Sequence, residues 1–282
     1  MKVLILGSNG MLGRQLMKLY GQEAAGWDRQ DFDFADVAKQ KSSIAHLAPS
    51  IVINCAAYNN VDGAEQDQDT AFRINAESVG DLAKICQELD IPLVHFSTNY
   101  VFDGKKGEYL EDDIPNPLSV YGSSKYKGEG LLQKNCDKFY LIRTSVLFGN
   151  RVEGSESKKS FAEFVLEQAS KKEPIYAYTD EVGCFTYAVD LAEKVKLLLE
   201  KQSPFGIYHI VNDGSANRFE FATETLKNKG LLEGADLRPT TFAERPRAAV
   251  IPKRAILLNS KLPPVRHWKA ALKEFLNNVK FG

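Results

Sequence analysis

The first half of the chain alternates short, fully apolar runs with longer segments whose apolar residues recur at helical spacing. The runs predict strands at Val3 to Leu6, Ile51 to Cys55, Leu93 to Ser97 and Phe139 to Arg143. The helical patterns cover Met11 to Tyr20, Ala71 to Leu89 and Ser119 to Gln133. Continuous apolar strands separated by helices are typical of βαβ units whose parallel sheet is buried on both faces. The pattern therefore predicts an α/β protein with a doubly wound parallel sheet and a ligand crevice at the carboxyl ends of its strands.

The character of the sequence changes after Gly149, where the polar stretch NRVEGSESKKS predicts an exposed loop. Past this loop, the pattern predicts helices over Phe161 to Ser170 and Val189 to Glu200, and a strand-like run from Gly206 to Val211. Near the C-terminus, the stretch HWKAALKEFLNNV has apolar residues at i, i+4 and i+8, which predicts an amphipathic packing helix. These residues are Trp268, Leu272 and Leu276.

These elements predict two domains. A Rossmann-type domain comprises residues 1–149 and, where the chain returns to it, about 184–212. A smaller C-terminal α+β domain comprises residues 150–183 and 213–282, and we expect it to bind the substrate. A chain of 282 residues is long enough for both, since single cores rarely grow beyond roughly 250 to 300 residues.

Composition and charge exclude several classes of protein. The 36 Lys and Arg residues balance 37 Asp and Glu residues without a basic stripe, which argues against a nucleic-acid partner. The four cysteines lack C-x-x-C spacing and the four histidines do not cluster with them, so neither disulfides nor a metal site are expected. The apolar run VLIL is too short for a signal peptide, and no run approaches the roughly 20 apolar residues that span a bilayer. We therefore expect a cytoplasmic protein, monomeric or homodimeric, with no membrane partner.

A glycine-rich turn follows the first predicted strand, in KVLILGSNGMLGRQL. Gly7 permits the tight turn, Gly10 lets the backbone approach phosphates, and Gly13 allows close helix packing. Their spacing is G-x-x-G-x-x-G rather than the plain G-x-G-x-x-G. A strand, a tight turn and a helix N-terminus in this order are what pyrophosphate binding requires, so the turn predicts a dinucleotide site. Its other expected contacts are Asn9, Met11 and Leu12.

About 20 residues beyond the first glycine, the stretch GWDRQDFDFAD supplies the acid expected at the adenosine ribose of a dinucleotide. Asp28 fits this position, whereas Arg29 beside it and Arg14 in the glycine turn suit the 2′-phosphate of NADPH. Asp33 and Phe34 are further candidates for contact near the adenine. We therefore expect NADPH as the cofactor, with NADH as the alternative that these residues leave open.

The stretch NPLSVYGSSKYKGE places Tyr121 and Lys125 one turn apart on one face of a predicted helix. Reduction of a ketone needs a hydride and a proton for the developing alkoxide, and a tyrosine can give that proton if a nearby ammonium lowers its pKa. Ser97 and Thr98 end the apolar run of VHFSTNYVFDG, at the strand end where crevice residues are expected. The four residues together predict acid-base chemistry on a carbonyl group. The spacing alone does not exclude the alternative that Tyr121 and Lys125 are two ordinary residues on a solvated helix face.

Several segments of the chain resemble the extended short-chain dehydrogenases/reductases and, among them, the dTDP-4-dehydrorhamnose reductase family. In the family's order, they are GSNGMLGRQL, INCAAYNNVDGAE, HFSTNYVFDG, YGSSKYKGE, RTSVLFG, DEVGCFTYAVDLA and GIYHIVNDG. The tail IPKRAILLNSKLPPVRHW is more loosely similar to the family's closing segment. The resemblance implies an NAD(P)H-dependent oxidoreductase that reduces the 4-keto group of a nucleotide-linked 6-deoxysugar. In this family the reaction belongs to dTDP-L-rhamnose biosynthesis for cell-surface polysaccharide.

The resemblance also implies roles for individual residues. Tyr121 would donate the proton, Lys125 would hold the nicotinamide ribose and tune Tyr121, and Thr98 would complete the triad. The residues implied to contact the cofactor outside the glycine turn and the acidic stretch are Cys55, Ala56, Ala57, Tyr58, Asn75, Ser97, Tyr121 and Lys125. The residues implied to bind the substrate are Val61, Asn99, Tyr100, Phe102, Val146 and Thr186.

The chain departs from the family pattern where the sugar would be bound. Asn99 stands where an Asp usually follows Ser-Thr, and Val146 stands where the family commonly has Trp. The other departures are Gly183-Cys184-Phe185-Thr186 in place of GxPT and, just downstream of Arg245-Pro246, Ile251-Pro252 in place of Arg-Pro. None of these positions takes part in the hydride chemistry, so the reaction type is better determined than the sugar.

Other functions remain open at this point. One is a reductase of a different nucleotide sugar. Another is an NADP-binding regulatory subunit resembling the methionine adenosyltransferase β subunit, which the altered substrate positions favour and the intact triad disfavours. An epimerase or dehydratase of the same fold is disfavoured, because dehydratases of this group carry an acidic pair after the Thr, where this chain has Asn99-Tyr100.

Overall fold

The computed structural model describes residues 2–28, 30–31, 36–150 and 159–279. The candidate cofactor residues Arg29, Asp33 and Phe34 lie outside the described residues. The strands are β1 (Val3–Leu6), β2 (Ala24–Trp27), β3 (Ile51–Asn54), β4 (Leu93–Thr98), β5 (Gly107–Tyr109), β6 (Phe139–Thr144), β7 (Val146–Phe148), β8 (Ile175–Tyr178), β9 (Val182–Gly183), β10 (Phe185–Tyr187), β11 (Gly206–His209), β12 (Asn212–Asp213), β13 (Ala216–Asn217), β14 (Leu237–Thr240), β15 (Ala255–Leu257) and β16 (Val265–His267). The helices are α1 (Met11–Tyr20), α2 (Val37–Leu47), α3 (Val61–Ala64), α4 (Gln68–Phe72), α5 (Ser78–Glu88), α6 (Val120–Asn135), α7 (Phe161–Ser170), α8 (Ala188–Glu200), α9 (Arg218–Asn228) and α10 (Trp268–Asn278).

A six-stranded parallel sheet forms the centre of the protein, with strand order β11-β6-β4-β3-β1-β2. Side chains alternate between its faces. In β1, Val3 and Ile5 pack in a core that includes residues of α1 and α8, whereas Leu4 and Leu6 pack in a core that includes residues of α2 and α5. The chain leaves β1 toward β2 and then crosses to β3 on the other side, so the crevice opens at their carboxyl ends. The predicted α/β, Rossmann-type fold is confirmed.

The predicted strands are confirmed to within a residue or two. β4 and β6 each extend one residue further than predicted, to Thr98 and Thr144. Strand β2 was not predicted, because its sequence AAGW lies at the sheet edge, is only partly buried and contains no run of large apolar residues. The strand-like run after α8 joins the central sheet as β11, which pairs with β6.

The helix predicted over Ala71 to Leu89 is three consecutive segments. A π-helical segment, Arg73–Glu77, joins α4 to α5. Such wide turns insert a residue into a helix and occur frequently at functional sites. Helix α6 begins at Val120, one residue after the predicted start at Ser119, which is instead the N-cap whose side-chain oxygen accepts the backbone N–H of Gly122.

The C-terminal half adds helices and short strand pairs beside the sheet. Helices α7 and α10 contribute to an apolar core that also contains β7 and β10, and the predicted packing residues Trp268, Leu272 and Leu276 are all buried there. β15 pairs with β5, so the C-terminal segment is hydrogen-bonded to the first half of the chain. The domain boundaries given above remain predictions. Within the described residues, no helix has the length and apolarity needed to cross a membrane.

Candidate active site

The glycine-rich turn connects β1 to α1 with the geometry that the sequence predicts. Gly7 has φ +73°, a left-handed conformation that favours glycine, and its N–H donates to the Trp27 carbonyl at 2.8 Å. A Cβ built on Gly13 would lie 2.2 Å from the Gly7 carbonyl oxygen, so only glycine allows α1 to approach the turn this closely. Gly10, at the N-cap of α1, provides no side-chain cap. The turn therefore directs the first N–H groups of α1 outward, as an anion site requires.

Replacing Gly13 by alanine is expected to weaken NADPH binding at least tenfold and to destabilise the fold by about 1–3 kcal/mol, since the added methyl overlaps backbone atoms. Gly130, on the exposed face of α6, is the matched control because a Cβ there meets nothing within 4 Å. Gly130→Ala should stabilise the protein by about 0.5–1 kcal/mol. Thermal unfolding and NADPH fluorescence titration measure both variants, and equal behaviour of the two would contradict the prediction.

Asp28 follows β2 and lies against the glycine turn. Its carboxylate accepts hydrogen bonds from the Ser8 hydroxyl and, at 3.2 Å, from the Asn9 backbone N–H. This places an acid at the outer end of the turn, where the sequence predicts contact with the adenosine ribose. Met11 is partly buried beside Gly149, whereas the Leu12 side chain packs into the core, which leaves Leu12 only its backbone for contact with a dinucleotide.

The loop after β3 is held by Asn75 of the π-helical segment. The Asn75 side chain accepts the Tyr58 N–H at 2.9 Å and donates to the Tyr58 carbonyl and to the Ser124 hydroxyl, each at 3.0 Å. Asn75 is fully buried, so its amide fixes this loop against α6. The Cys55 thiol at the start of the loop is desolvated, and burial raises its pKa. The backbone of Ala56 lies directly beside Gly7, and Ala57 follows it.

Thr98, Tyr121 and Lys125 lie together at the carboxyl end of β4. All three side chains are buried, with Lys125 only 2 % exposed. Thr98 lies close enough to Tyr121 to lower the pKa of its hydroxyl; the Thr98 hydroxyl donates to the Asn99 side chain at 3.4 Å and accepts the Tyr100 N–H at 3.2 Å. The Lys125 Nζ donates to the Phe96 carbonyl at 2.6 Å. The solvated-face alternative for the Tyr-x-x-x-Lys pair is therefore wrong.

Burial controls the pKa of both ionisable groups in this cluster. It raises the pKa of Tyr121 to about 12, against a smaller opposing contribution from the Thr98 hydrogen bond. It lowers the pKa of Lys125 to about 8, against the opposing charge of Glu129. Lys125 is not among the groups that shift the pKa of Tyr121. Its Nζ is bonded to the Phe96 carbonyl of β4, and its effect on Tyr121 stays a prediction. Tyr121 is protonated at neutral pH and can act as a proton donor.

Several buried hydroxyls at the same sheet edge have no hydrogen-bond partner among the described residues. They are those of Ser97, Thr144, Ser145 and Thr186. Buried polar atoms are normally satisfied, so the unsatisfied hydroxyls at the carboxyl ends of β4 and β6 fit a bound dinucleotide and its substrate. Thr144 and Ser145 were not predicted as site residues. Thr144 lies opposite Thr98 in the register of β4 and β6. It could have been predicted from RTSVLFG, because polar residues at the carboxyl end of a strand are candidates for the crevice.

The chain matches a family model described as RmlD substrate binding domain over residues 1–281. This protein belongs to the RmlD family.

The relatives agree in length as well as in sequence. The chain is 36 % identical over 284 residues to the spore coat polysaccharide biosynthesis protein SpsK of Bacillus subtilis (strain 168), covering 98 % of this chain and 96 % of that protein. It is 34 % identical over 285 residues to a dTDP-4-dehydrorhamnose reductase of Streptomyces griseus, covering 96 % and 91 %. The crystal structure of the dTDP-4-dehydrorhamnose reductase from Bacillus anthracis str. Ames in complex with NADP superposes with a TM-score of 0.92 at 30 % identity, covering 99 % of this chain and 100 % of that one. The resemblance stated from sequence motifs is confirmed.

Three residues that depart from the RmlD family pattern, Asn99, Val146 and Phe185, line a small cavity of about 10 Å³. Asn99 is buried there, and its amide nitrogen donates to the Ala255 carbonyl at 3.2 Å, which ties β15 to the site. Val146 and Phe185 line the same cavity. Ile251 packs against the apolar cluster that contains Tyr121. The substitutions thus change the charge at position 99 and the side-chain shapes at positions 146 and 185 around one cavity, and Ile251 adds an apolar contact in the cluster of Tyr121.

A buried ionic cluster on this side was not predicted from the sequence. The Glu181 carboxylate accepts the Tyr100 hydroxyl at 2.7 Å and two Arg218 N–H groups at 3.0 Å. The positive charge of Arg218 and these hydrogen bonds lower the pKa of Glu181 despite its burial. Arg247 contributes further positive charge to the cluster and is itself bonded to Asp62 after β3, with Nη2 to Oδ2 at 2.8 Å. Arg218 thus lines the cavity, and Arg247 adds positive charge to the same cluster.

The remaining predicted substrate residues divide into two groups. Tyr100 packs edge-on against Tyr121, with ring centroids 6.2 Å apart, and Val61 joins the same apolar cluster. Phe102, by contrast, is fully buried, stacked on Tyr109 with the Arg143 guanidinium over its ring. The structure does not bring Phe102 to the site, because its side chain packs in a separate apolar core with residues of β5 and β15.

Proposed function

We propose that this chain reduces the 4-keto group of a nucleotide-linked 6-deoxysugar, with dTDP-4-dehydro-L-rhamnose as the first substrate to test and NADPH as the cofactor. The relatives' names and their coverage of the chain support an NAD(P)-dependent oxidoreductase of the dTDP-4-dehydrorhamnose reductase type. The observation that carries the proposal is the buried cluster of Thr98, Tyr121 and Lys125 at the sheet edge next to the glycine turn.

In this proposal some residues orient or bind the reactants, and Tyr121 transfers the proton. Bound NADPH would supply the hydride. Tyr121, protonated and desolvated, donates its proton to the alkoxide oxygen that develops on the sugar. Thr98 lies beside Tyr121 and donates its single O–H to the same alkoxide oxygen. Lys125 holds the nicotinamide ribose, and the N–H groups in the first turn of α1, which have no side-chain cap, bind the pyrophosphate.

The residues around the cavity suit an anionic sugar nucleotide. Arg218 and Arg247 both lie near Glu181 and Tyr100. Tyr100 packs against Tyr121, so the substrate's diphosphate would find positive charge close to the triad. The carboxylates of Glu181 and Asp62 hold these guanidinium groups in fixed positions. The altered residues Asn99, Val146 and Ile251 set the shape of the sugar pocket. The experiment should therefore determine which nucleotide sugar the protein reduces.

A substrate panel tests the proposal. The purified protein should oxidise NADPH, followed by absorbance, with dTDP-4-dehydro-L-rhamnose, and more slowly or not at all with UDP-, GDP- and CDP-linked 4-keto sugars. Thermal shifts with dTDP, UDP, GDP and CDP sugars report binding independently of turnover. Turnover of another nucleotide sugar would show that the proposed substrate is wrong and would leave the proposed reaction unchanged. Cofactor binding without oxidation of NADPH by any member of the panel would instead favour the regulatory-subunit alternative.

A further inference from the structure

Lys125 has a second partner that its proposed role does not explain. Its Nζ lies 3.2 Å from Nε2 of His95, a residue of β4 that is completely buried. The other ring nitrogen of His95, Nδ1, lies 3.2 Å from the side-chain nitrogen of Asn54 at the end of β3. The three side chains form a continuous hydrogen-bonded line across two neighbouring strands and α6.

The donors and acceptors along this line have only one consistent arrangement. The Asn54 Oδ1 accepts the Ala56 N–H at 3.1 Å, which fixes the amide and directs its NH₂ toward His95. An amide NH₂ only donates, so the Nδ1 of His95 must be an acceptor without a proton. Burial and the nearby Lys125 lower the pKa of His95 well below its usual value, so the ring is neutral. Its single proton is therefore on Nε2, directed at Lys125.

An ammonium group has three donors and no acceptor, whereas a neutral amine has a lone pair. The Nε2–H of His95 is therefore satisfied only when Lys125 is neutral. We propose that His95, oriented by Asn54, is a positioning residue that donates Nε2–H to the Lys125 amine and thereby stabilises its uncharged form. The lowered pKa of Lys125 agrees with this arrangement.

The other groups around Lys125 do not provide this effect. Glu129, one turn further along α6, favours the charged form, and its carboxylate is itself paired with Arg143 from β6 at 2.7 Å. The π-helical segment packed against α6 contributes the neutral amide of Asn75. Tyr121, on the same face of α6, is protonated. His95 is thus the group facing Lys125 from β4 whose hydrogen bonding distinguishes the two protonation states.

The consequence for turnover rests on the proposed function. Each reduction moves one proton from the Tyr121 oxygen to the sugar alkoxide, leaving a phenolate. A Lys125 ammonium that holds its proton weakly can return one to this phenolate, and the resulting amine is the form that accepts the His95 N–H. Water entering the crevice then restores the ammonium. His95 itself neither gains nor loses a proton in this sequence.

Nitrogen-15 NMR of the ring nitrogens tests the arrangement without substrate, cofactor or turnover. The chain has four histidines, and loss of one set of signals in His95→Gln assigns those of His95. We expect the Nε2–H tautomer, with unprotonated Nδ1, throughout pH 6 to 9. A protonated Nδ1, whether as the other tautomer or as imidazolium, would overturn the proposal. Because no chemistry is measured, an inactive protein with the expected tautomer would refute the proposed function alone.

Asn54→Asp tests the directional chain, since the two side chains have nearly the same shape. An aspartate in this position only accepts hydrogen bonds, so the His95 proton moves to Nδ1 and Nε2 becomes an acceptor facing Lys125. We expect the midpoint of the Lys125 Cε titration to rise by at least one pH unit, a tenfold gain in proton affinity. Charge attraction alone would also raise it, so the same substitution is repeated in a His95→Gln background. In the His95→Gln background, Asn54→Asp should raise the Lys125 midpoint by no more than half as much. An equal rise in both backgrounds would contradict a role for His95.

His46→Gln is the matched control, because His46 is exposed on α2. It should leave the Lys125 midpoint within about 0.2 units of the native value. Where Asn54→Asp does not fold, the tautomer measured on the native protein still decides the proposal. In active protein, the pH profile of kcat should shift in the same direction as the Lys125 midpoint, which a purely structural role for His95 would not produce.

Discussion

Replacing Tyr121 by phenylalanine is expected to lower kcat for reduction by about 10³-fold or more, since a positioned general acid contributes roughly 10²–10⁴-fold. The ring remains buried against Tyr100, so packing is preserved and only the hydroxyl is lost. The affinity for NADPH should change less than threefold. Steady-state oxidation of NADPH and fluorescence titration of the cofactor measure the two effects separately.

Tyr126 provides the matched control for this variant. It lies on the same helix, five positions further on, and is 39 % exposed. Tyr126→Phe removes the same atom from the same residue type and should leave kcat within about twofold of the native value. Near-native turnover in Tyr121→Phe would remove Tyr121 from the proposed mechanism, whereas a large loss of NADPH affinity would show that it acts mainly in binding.

Replacing Arg143 by methionine is expected to cost about 3–5 kcal/mol of unfolding free energy, because it leaves the fully buried Glu129 carboxylate without its partner. Arg143 also donates to the Glu111 carbonyl at 3.0 Å, which holds the loop after β5. The charge left on Glu129 lies one turn from Lys125 and should raise the pKa of that lysine. Urea unfolding measures the stability change, and the pH dependence of kcat measures the effect on Lys125.

A double variant separates the pairing from the packing. Arg143→Met combined with Glu129→Met removes both charges, and we expect it to recover at least half of the lost stability. The exposed pair Lys84 and Asp81 supplies the comparison, since Lys84→Met should cost less than about 1 kcal/mol. A cost for Arg143→Met no larger than that for Lys84→Met would show that the buried pair adds nothing to stability.

The sequence predicted what depends on local geometry. The apolar runs identified strands β1, β3, β4 and β6, because a strand buried on both faces needs apolar residues at every position. The glycine turn was predictable because only glycine tolerates its backbone conformation and close contacts. Tyr121 and Lys125 could be placed on one face of α6 because their spacing equals one helical turn.

The tertiary structure alone decided how residues far apart in the sequence meet. Asn54, His95 and Lys125 come from three different elements, and nothing in the spacing between them shows that they touch. The same holds for Arg247 and Asp62, 185 positions apart. Edge strand β2 was missed because a partly exposed strand needs no apolar run. A repeating pattern shows which face of an element is buried, but the partner on that face is set by sheet order and packing. The chemistry expected of Tyr121 therefore followed from local spacing, whereas the environment that sets the charge of Lys125 depended on the complete fold.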